Sequence, residues 1–417
     1  MDHPDIEAMD ELRSPSGRAL LGRLAAAGAE ESGRPSFIEA LRRENSLETV
    51  RLALRVSEAR RKAPSKFPEA DELFFTPELL EQASAHPPAL HRARRLAPLG
   101  KVLDLGCGAG GDLTRLALAG AEAAGLERDP LALEMARANL EFLGLRADLT
   151  LGTFPEADLP DHDVLFVDPA RREGGRRPSG SGRAGRHLRP SEFSPRPEEL
   201  APLLEDARAW CIKWGPALDL SHSALSAPEG LLTGIDRQNY ELELVSWRGE
   251  LREAVIWGGD LPHRQAAATV LQGGFEDFST HRFEGDPNLA PPPVAPPGEW
   301  ILEPDASLLR SGLLNDFARR EGLNLLAEQI AYLSSDFPPI SPFLRRYKCV
   351  ESFPFSLARA QAALDQHGAG ELIIKKRGFP MTPEALQRRL KLGEGPTAVL
   401  ILHRDLEGHQ AHFCRLP

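Results

Sequence analysis

"VLDLGCGAGGD", residues 102–112, is the stretch on which the fold of this chain turns. A short apolar run of strand length enters a cluster of glycines, and "LTRLALAG" follows with helical spacing. A strand, a glycine turn and a helix open an α/β unit in which backbone N–H groups can approach a ligand closely and the helix N-terminus favours negative charge. Gly106, Gly108 and Gly111 also fit G-x-G-x-x-G, so the glycines by themselves leave a dinucleotide open.

Outward from this stretch, "AEAAGLE", "DLTLG", "DVLFVD" and "AWCIKWG" are further strand-length apolar runs. Helical stretches such as "PLALEMARANLEFLG" lie between the early ones, which predicts a parallel sheet with helices on both faces. "YELELVSWRGELREAVIWGG" then reads as a hairpin turning at Arg248-Gly249. Residues 1 to about 95 read as helices: Ser36 and Glu39 suggest a capping box, and Thr76-Pro77-Glu78 a capped start with proline in the first turn. "GDPNLAPPPVAPPG" (285–298) holds six prolines in fourteen residues and reads as a stiff extended linker, with a small α+β region after it.

Asp104, two residues before the first glycine, separates the two readings of the loop. Dinucleotide folds place a small or apolar residue there, whereas an acid is typical of S-adenosylmethionine (SAM) sites. Gly106, Gly108 and Gly110 then line the cofactor turn, and Glu127, seventeen residues past Gly110 at the end of the second strand, is placed to accept hydrogen bonds from ribose hydroxyls. Thr153 stands where many such enzymes have an Asp or Asn for the adenine amino group, and Phe154 either flanks the adenine or belongs to the core. The fourth strand ends in Asp168-Pro169, at the carboxyl edge where these sheets place their sites. "DPAR" resembles the Asp/Asn-Pro-Pro-aromatic motif of base-nitrogen methylating enzymes, in which the side chain and the next carbonyl accept from an amino group. Here Arg171 replaces the aromatic, and a guanidinium can also stack on a base. Lys213 ends the fifth strand at the same rim, a candidate substrate contact. Neither Cys107, in the glycine loop, nor Cys211, inside a strand, is placed as a nucleophile for covalent C5 methylation.

Charge adds a second theme. The 417-residue chain carries a formal charge of −11 and 41% hydrophobic residues, so bulk attraction to nucleic acid is not expected and any contact must be local. Residues 171–189 nevertheless hold seven arginines against one glutamate, with Arg176 and Arg177 among them, and read as a substrate loop at the rim of the sheet. Lys375, Lys376 and Arg377, then Arg388, Arg389 and Lys391, form a second basic cluster near the C-terminus, a candidate RNA-phosphate contact in which Lys375, Lys376 and Arg377 are expected to bind the substrate. Four dispersed cysteines without Cys-x-x-Cys argue against a disulfide framework and against a metal site. No run approaches the roughly 20 apolar residues of a membrane span, and no signal-peptide core is visible, so a cytoplasmic location is expected.

With "LFFTPELLEQAS", "IKWGPALDL", "LEPDASLLRSGL", "IAYLSSD", "ELIIKKRG" and "TPEALQRRL", these marks resemble the bacterial class I SAM-dependent methyltransferases that carry a C-terminal THUMP-like domain. The resemblance covers nearly the whole chain. It implies an α/β fold: a Rossmann-like class I methyltransferase sheet with an N-terminal helical region and a C-terminal small α+β, ferredoxin-like and THUMP-like, module. The expected organisation is a helical domain (1–95), a methyltransferase domain (96–261), a connecting segment (262–298), a ferredoxin-like segment (299–340) and a THUMP-like domain (341–417). It also implies SAM on the glycine loop and Glu127, Asp168 and Pro169 toward the acceptor, and an RNA acceptor, ribosomal or transfer RNA. A small-molecule methyltransferase and a non-catalytic RNA-binding protein are the other readings, and a nicotinamide-dependent oxidoreductase ranks last because of Asp104 and Asp168-Pro169.

Overall fold

A computed structural model describes residues 4–171, 193–215, 220–226, 230–232, 235–261 and 265–417. They fall into two compact units. The first comprises the described residues within 1–241, 252–263 and 273–279, and the second those within 242–251, 264–272 and 280–417.

The first unit opens with α1 (Pro4–Arg13), α2 (Pro15–Ser32), α3 (Pro35–Arg42), α4 (Leu47–Lys62), α5 (Pro77–Gln82) and α6 (His86–Leu96). Proline begins most of them, where its missing N–H costs nothing and its fixed φ suits the first turn. Thr76 caps α5 as the sequence predicts, accepting the Leu79 N–H at 3.3 Å. Ser36 does not cap α3: the helix starts two residues earlier than that cap would place it, at Pro35, with Arg34 at the cap and no side-chain bond there. Met9, Leu12, Leu24, Val56 and Phe67 form a buried core that continues onto Ala109 of the glycine turn and Met135. Asn139 fastens this packing. Its amide accepts from Phe74 N (2.7 Å) and donates to the carbonyls of Phe74 (3.0 Å) and Ala109 (2.9 Å), so the helical region is tied to the back of the loop.

The sheet follows: β1 (Val102–Leu105), α7 (Leu113–Leu118), β2 (Ala123–Glu127), α8 (Pro130–Phe142), β3 (Asp148–Leu151), β4 (Val164–Val167), the short pair β5 (Ala170–Arg171) and β6 (Phe193–Ser194), α9 (Pro197–Asp206) and β7 (Ala209–Trp214). The strands run parallel in the order β7-β4-β1-β2-β3. Every residue of β1, β2 and β4 is buried, the signature of a sheet covered on both faces. After the short α10 (His222–Leu225), β8 (Tyr240–Trp247) and β9 (Glu250–Gly259) meet at Arg248-Gly249. Both turn residues have positive φ (53° and 72°), which gives the tight turn that matches strand twist. β9 lies antiparallel to β7.

The second unit contains β10 (Ala266–Gln272), parallel to β8, and β11 (Ser279–Gly285). Then come β12 (Trp300–Pro304), α11 (Ala306–Arg310), α12 (Leu314–Arg320), β13 (Asn324–Ala327), β14 (Ile330–Ser335), β15 (Leu344–Pro354), α13 (Leu357–His367), β16 (Glu371–Arg377), α14 (Pro383–Gln387), β17 (Thr397–Arg404) and β18 (His409–Arg415). Seven of these strands form one sheet, ordered β13-β14-β12-β15-β18-β17-β16. The proline-rich stretch runs along this unit and is held to it: Leu325 donates to Pro293 O (2.9 Å), Ala295 to Leu325 O (3.0 Å), and Arg319 to Ala290 O (2.8 Å).

Candidate functional site

Strand register places the site. Leu105 is level with Leu126 on β2 and with Val167 on β4, and Val167 with Ile212 on β7. The next residue of each strand is Gly106, Glu127, Asp168 and Lys213, so four of the residues singled out from the sequence form one row at the carboxyl edge. Glu127 is also level with Leu151 of β3, and its carbonyl accepts the Gly152 N–H at 2.9 Å. That sets Thr153, exposed, and Phe154, half-buried, beside Glu127.

The glycine turn does something other than cradle an anion. Gly106 N and Cys107 N donate to Leu126 O (2.9 and 3.1 Å), Gly108 N to Glu127 Oε2 (2.8 Å), and Gly110 N to Cys107 O (2.9 Å). These four donors are spent inside the protein. The glycines are needed for conformation, with φ of 92°, 54° and 78° at Gly106, Gly108 and Gly110. A Cβ at Gly106 or Gly108 would meet nothing within 4 Å, so a ligand can lie against the turn, whereas one at Gly110 would stand 3.1 Å from Ala136 Cβ of α8.

The charge at this edge suits a cation. Asp104 is buried and its Oδ2 has no hydrogen-bond partner. Burial, then Asp112, Asp168 and Glu127, hold its carboxyl well above the usual range, with Arg92 opposing. A buried, unpartnered carboxylate oxygen in a ring of acids fits an ammonium or sulfonium and would repel a pyrophosphate. Glu127 already accepts from Gly108, Arg128 (2.9 Å) and Asp129 (2.8 Å), and a carboxylate has about four acceptor positions, so it retains capacity for a hydroxyl.

Asp168 is ion-paired through Oδ2 with Lys213. Burial pulls the Lys213 ammonium down, but Asp168 and then Asp112 outweigh it and leave it above the ordinary lysine value. Pro169 is buried. The backbone of Arg171 pairs with Phe193, whose ring lies 4.6 Å from that of Trp214, so two aromatics stand next to the place where the motif's own aromatic is replaced. Arg176 and Arg177 lie outside the described residues.

Sequence reading missed a buried network behind this row. Arg92 of α6 hydrogen-bonds Ser84 Oγ (2.8 Å), pairs with Asp112 and Glu253, and covers the Phe166 ring at 5.4 Å. Asp112 stands at the start of α7 but makes no cap with its side chain, because the carboxylate is turned to Arg92 and to Ser84, which donates at 2.9 Å. Burial raises the Asp112 carboxyl, and Arg92 and Lys213 bring it below its ordinary value. Lys66 caps the end of α5, donating to the carbonyls of Leu80, Glu81 and Ala83, and burial with Lys213 nearby lowers it to about 8. The acid after Gly111 was visible in the glycine stretch; its partners were not.

In the second unit the basic strand has partners within its own unit, and Arg377 Nε is buried without a hydrogen bond. Lys375 pairs with Glu303 at 3.0 Å, Lys376 donates to Phe379 O (2.9 Å), and the Arg377 guanidinium lies 5.1 Å from the Tyr332 ring centre. Arg388, Arg389 and Lys391 are exposed. Among the described residues there is no cluster of His, Cys, Asp and Glu suited to a metal, and no helix long and apolar enough to cross a membrane.

Comparison with known proteins shows the family. Residues 97–165 match a methyltransferase domain family and residues 344–416 a THUMP domain-like family. An uncharacterised S-adenosylmethionine-dependent methyltransferase of Mycobacterium tuberculosis, found in two strains, is 36% identical over 371 residues, which is 85% of this chain and 94% of the relative. A crystal structure from Porphyromonas gingivalis W83, provisionally named a methyltransferase, superposes with a TM-score of 0.73 at 21% identity, covering 96% of this chain and 98% of that one. The chain belongs to the S-adenosylmethionine-dependent methyltransferases, with a THUMP domain-like region at its C-terminal end.

Proposed function

We propose that this enzyme methylates a base nitrogen in ribosomal or transfer RNA, at the carboxyl edge of β4. The observation that carries the reading is the row itself: Asp168 stands level with Gly106 and Glu127 on one side and with Lys213 on the other. SAM supplies an electrophilic methyl group on a sulfonium. Asp104 Oδ2 would hold the cofactor's ammonium, Glu127 its ribose hydroxyls, and Thr153 with Phe154 its adenine. Lys213 fixes Asp168 through Oδ2 and leaves Oδ1, with the Pro169 carbonyl, to accept from the amino group of the acceptor. Aligning a nitrogen in this way is the main work such a transfer asks of a protein. For RNA, the support is the THUMP-like region, the exposed Arg388, Arg389 and Lys391, and the arginine-rich stretch that follows Pro169.

The test is to incubate the protein with labelled SAM and total RNA from a strain lacking it, then map the nucleoside by mass spectrometry. Label at one nucleoside, lost with Asp168→Ala, is the expected result. Label confined to small molecules would overturn the RNA assignment.

A further inference from the structure

The seven-stranded sheet of the second unit holds two cysteines that the methyl-transfer site does not use. Cys349 on β15 and Cys414 on β18 are register partners on antiparallel neighbours. Both join one apolar cluster with Tyr347, Val399 and Ile401, so their side chains share a face of the sheet. We propose that Cys349 is a peroxide-reactive thiol and that Cys414 resolves it to a reversible disulfide.

Backbone geometry permits the bridge. Cys349 donates its N–H to Glu299 O at 2.8 Å, on the side away from β18, so it does not exchange backbone hydrogen bonds with Cys414. Opposed residues of that kind stand with Cα atoms about 4.5 Å apart. A disulfide spans Cα separations of about 4.4–6.8 Å, a range that includes this spacing, and the ladder shifts register only past Cys349, before Glu351.

Side-chain chemistry makes the two sulfurs unequal. Cys349 Sγ lies 3.3 Å from Ser352 Oγ, which lies 2.8 Å from His412 Nδ1, and His412 Nε2 lies 2.9 Å from His403 Nε2. The relay can run in either direction; run from His403 to His412 to Ser352, it ends in a hydrogen bond donated to the Cys349 sulfur. The hydrogen bond from Cys414, against burial, and those of His412 and Ser352 bring the Cys349 thiol down to about 5. Burial and the neighbouring Cys349 push Cys414 up, and its thiol lies 3.7 Å from the His412 carbonyl. A thiolate beside a thiol is the asymmetry that attack followed by resolution requires. Cys107 differs: it is buried, and burial with Asp104 and Glu127 raises its thiol. Cys349 is half-buried, and its neighbour Ser352, with His403 and His412, lines a cavity of about 960 Å³.

The oxidant is hydrogen peroxide. The Cys349 thiolate attacks one oxygen, the O–O bond breaks, Cys349 becomes a sulfenic acid, and hydroxide leaves and takes the Cys414 proton as water. Cys414 sulfur then attacks Cys349 sulfur, the S–O bond breaks, and the second hydroxide takes up the proton that Cys349 gave up earlier. Two thiols are oxidised by two electrons and one peroxide is reduced to two waters.

The experiment treats the full-length protein with a small excess of hydrogen peroxide and maps peptides without reduction. The wild type should yield a Cys349–Cys414 peptide lighter by about 2 Da than its reduced parts. Cys414→Ser should accumulate a dimedone adduct at Cys349, and Cys349→Ser should give neither product, with folding of both variants checked by circular dichroism. The wild-type map decides the matter even if a variant fails to fold. First modification at Cys107, Cys211 or Cys414, or conversion of wild-type Cys349 to sulfinic acid while Cys414 stays reduced, would overturn the proposal.

Discussion

The carboxyl edge of the methyltransferase sheet and strand β16 of the THUMP-like region both attract attention by charge, and the structure treats that charge in opposite ways. At the edge, Asp104, Asp112, Glu127 and Asp168 crowd together and one buried oxygen is left without a partner. On β16, Lys375, Lys376 and Arg377 are met by Glu303, a backbone carbonyl and an aromatic ring of their own unit. Unsatisfied charge held in a buried place is where a ligand gains most, because nothing internal competes for it. Paired charge mainly holds the fold.

Breaking the pairing behind the edge should give the largest effect. Arg92→Ala leaves Asp112 and Glu253 buried without their cation, and urea unfolding should show a loss of about 3–5 kcal/mol. A change under about 1 kcal/mol would mean the network adds little. Next, Lys213→Ala frees Asp168 to wander, and kcat for methyl transfer should fall by up to about 100-fold while SAM affinity holds. An equal loss in SAM affinity would move Lys213 into the cofactor site. Smaller again is the effect on RNA binding of the exposed Arg388, Arg389 and Lys391: replacing them should flatten the salt dependence of binding by about 0.7–0.9 for each phosphate no longer neutralised. Lys375→Ala should change RNA affinity less than about twofold, as expected of a paired surface charge. A larger loss from Lys375 than from the exposed trio would invert the comparison.

Much of the edge was legible in the sequence because it is local. Asp104, Gly106, Gly108 and Gly110 lie within seven residues, and apolar runs bounded by turns announce strands buried on both faces. Glu127 and Asp168 followed from the strand ends. What stayed hidden depends on distant partners. Arg92 meets Glu253 across 161 positions, and Lys375 meets Glu303 across 72, so neither pattern nor spacing marks them. The Ser36 capping box failed for a local reason: Pro35 is itself a good first helical residue and draws the start of α3 forward. Which glycine-loop donors are used internally also stayed hidden: the turn folds four of them onto backbone carbonyls and onto Glu127.

Titrating SAM into the wild type and into Asp104→Asn, across pH, tests the central claim that the buried carboxylate holds the cationic cofactor. Asp104 sits above its ordinary value in the protein alone, so at low pH it carries a proton that a bound cation must displace. Wild-type affinity should therefore rise with pH, by up to about tenfold per unit, until Asp104 is ionised, with proton release on binding. Asp104→Asn should bind at least about tenfold more weakly at neutral pH and lose that slope. Equal affinity of the two proteins, with the same pH profile, would contradict the account.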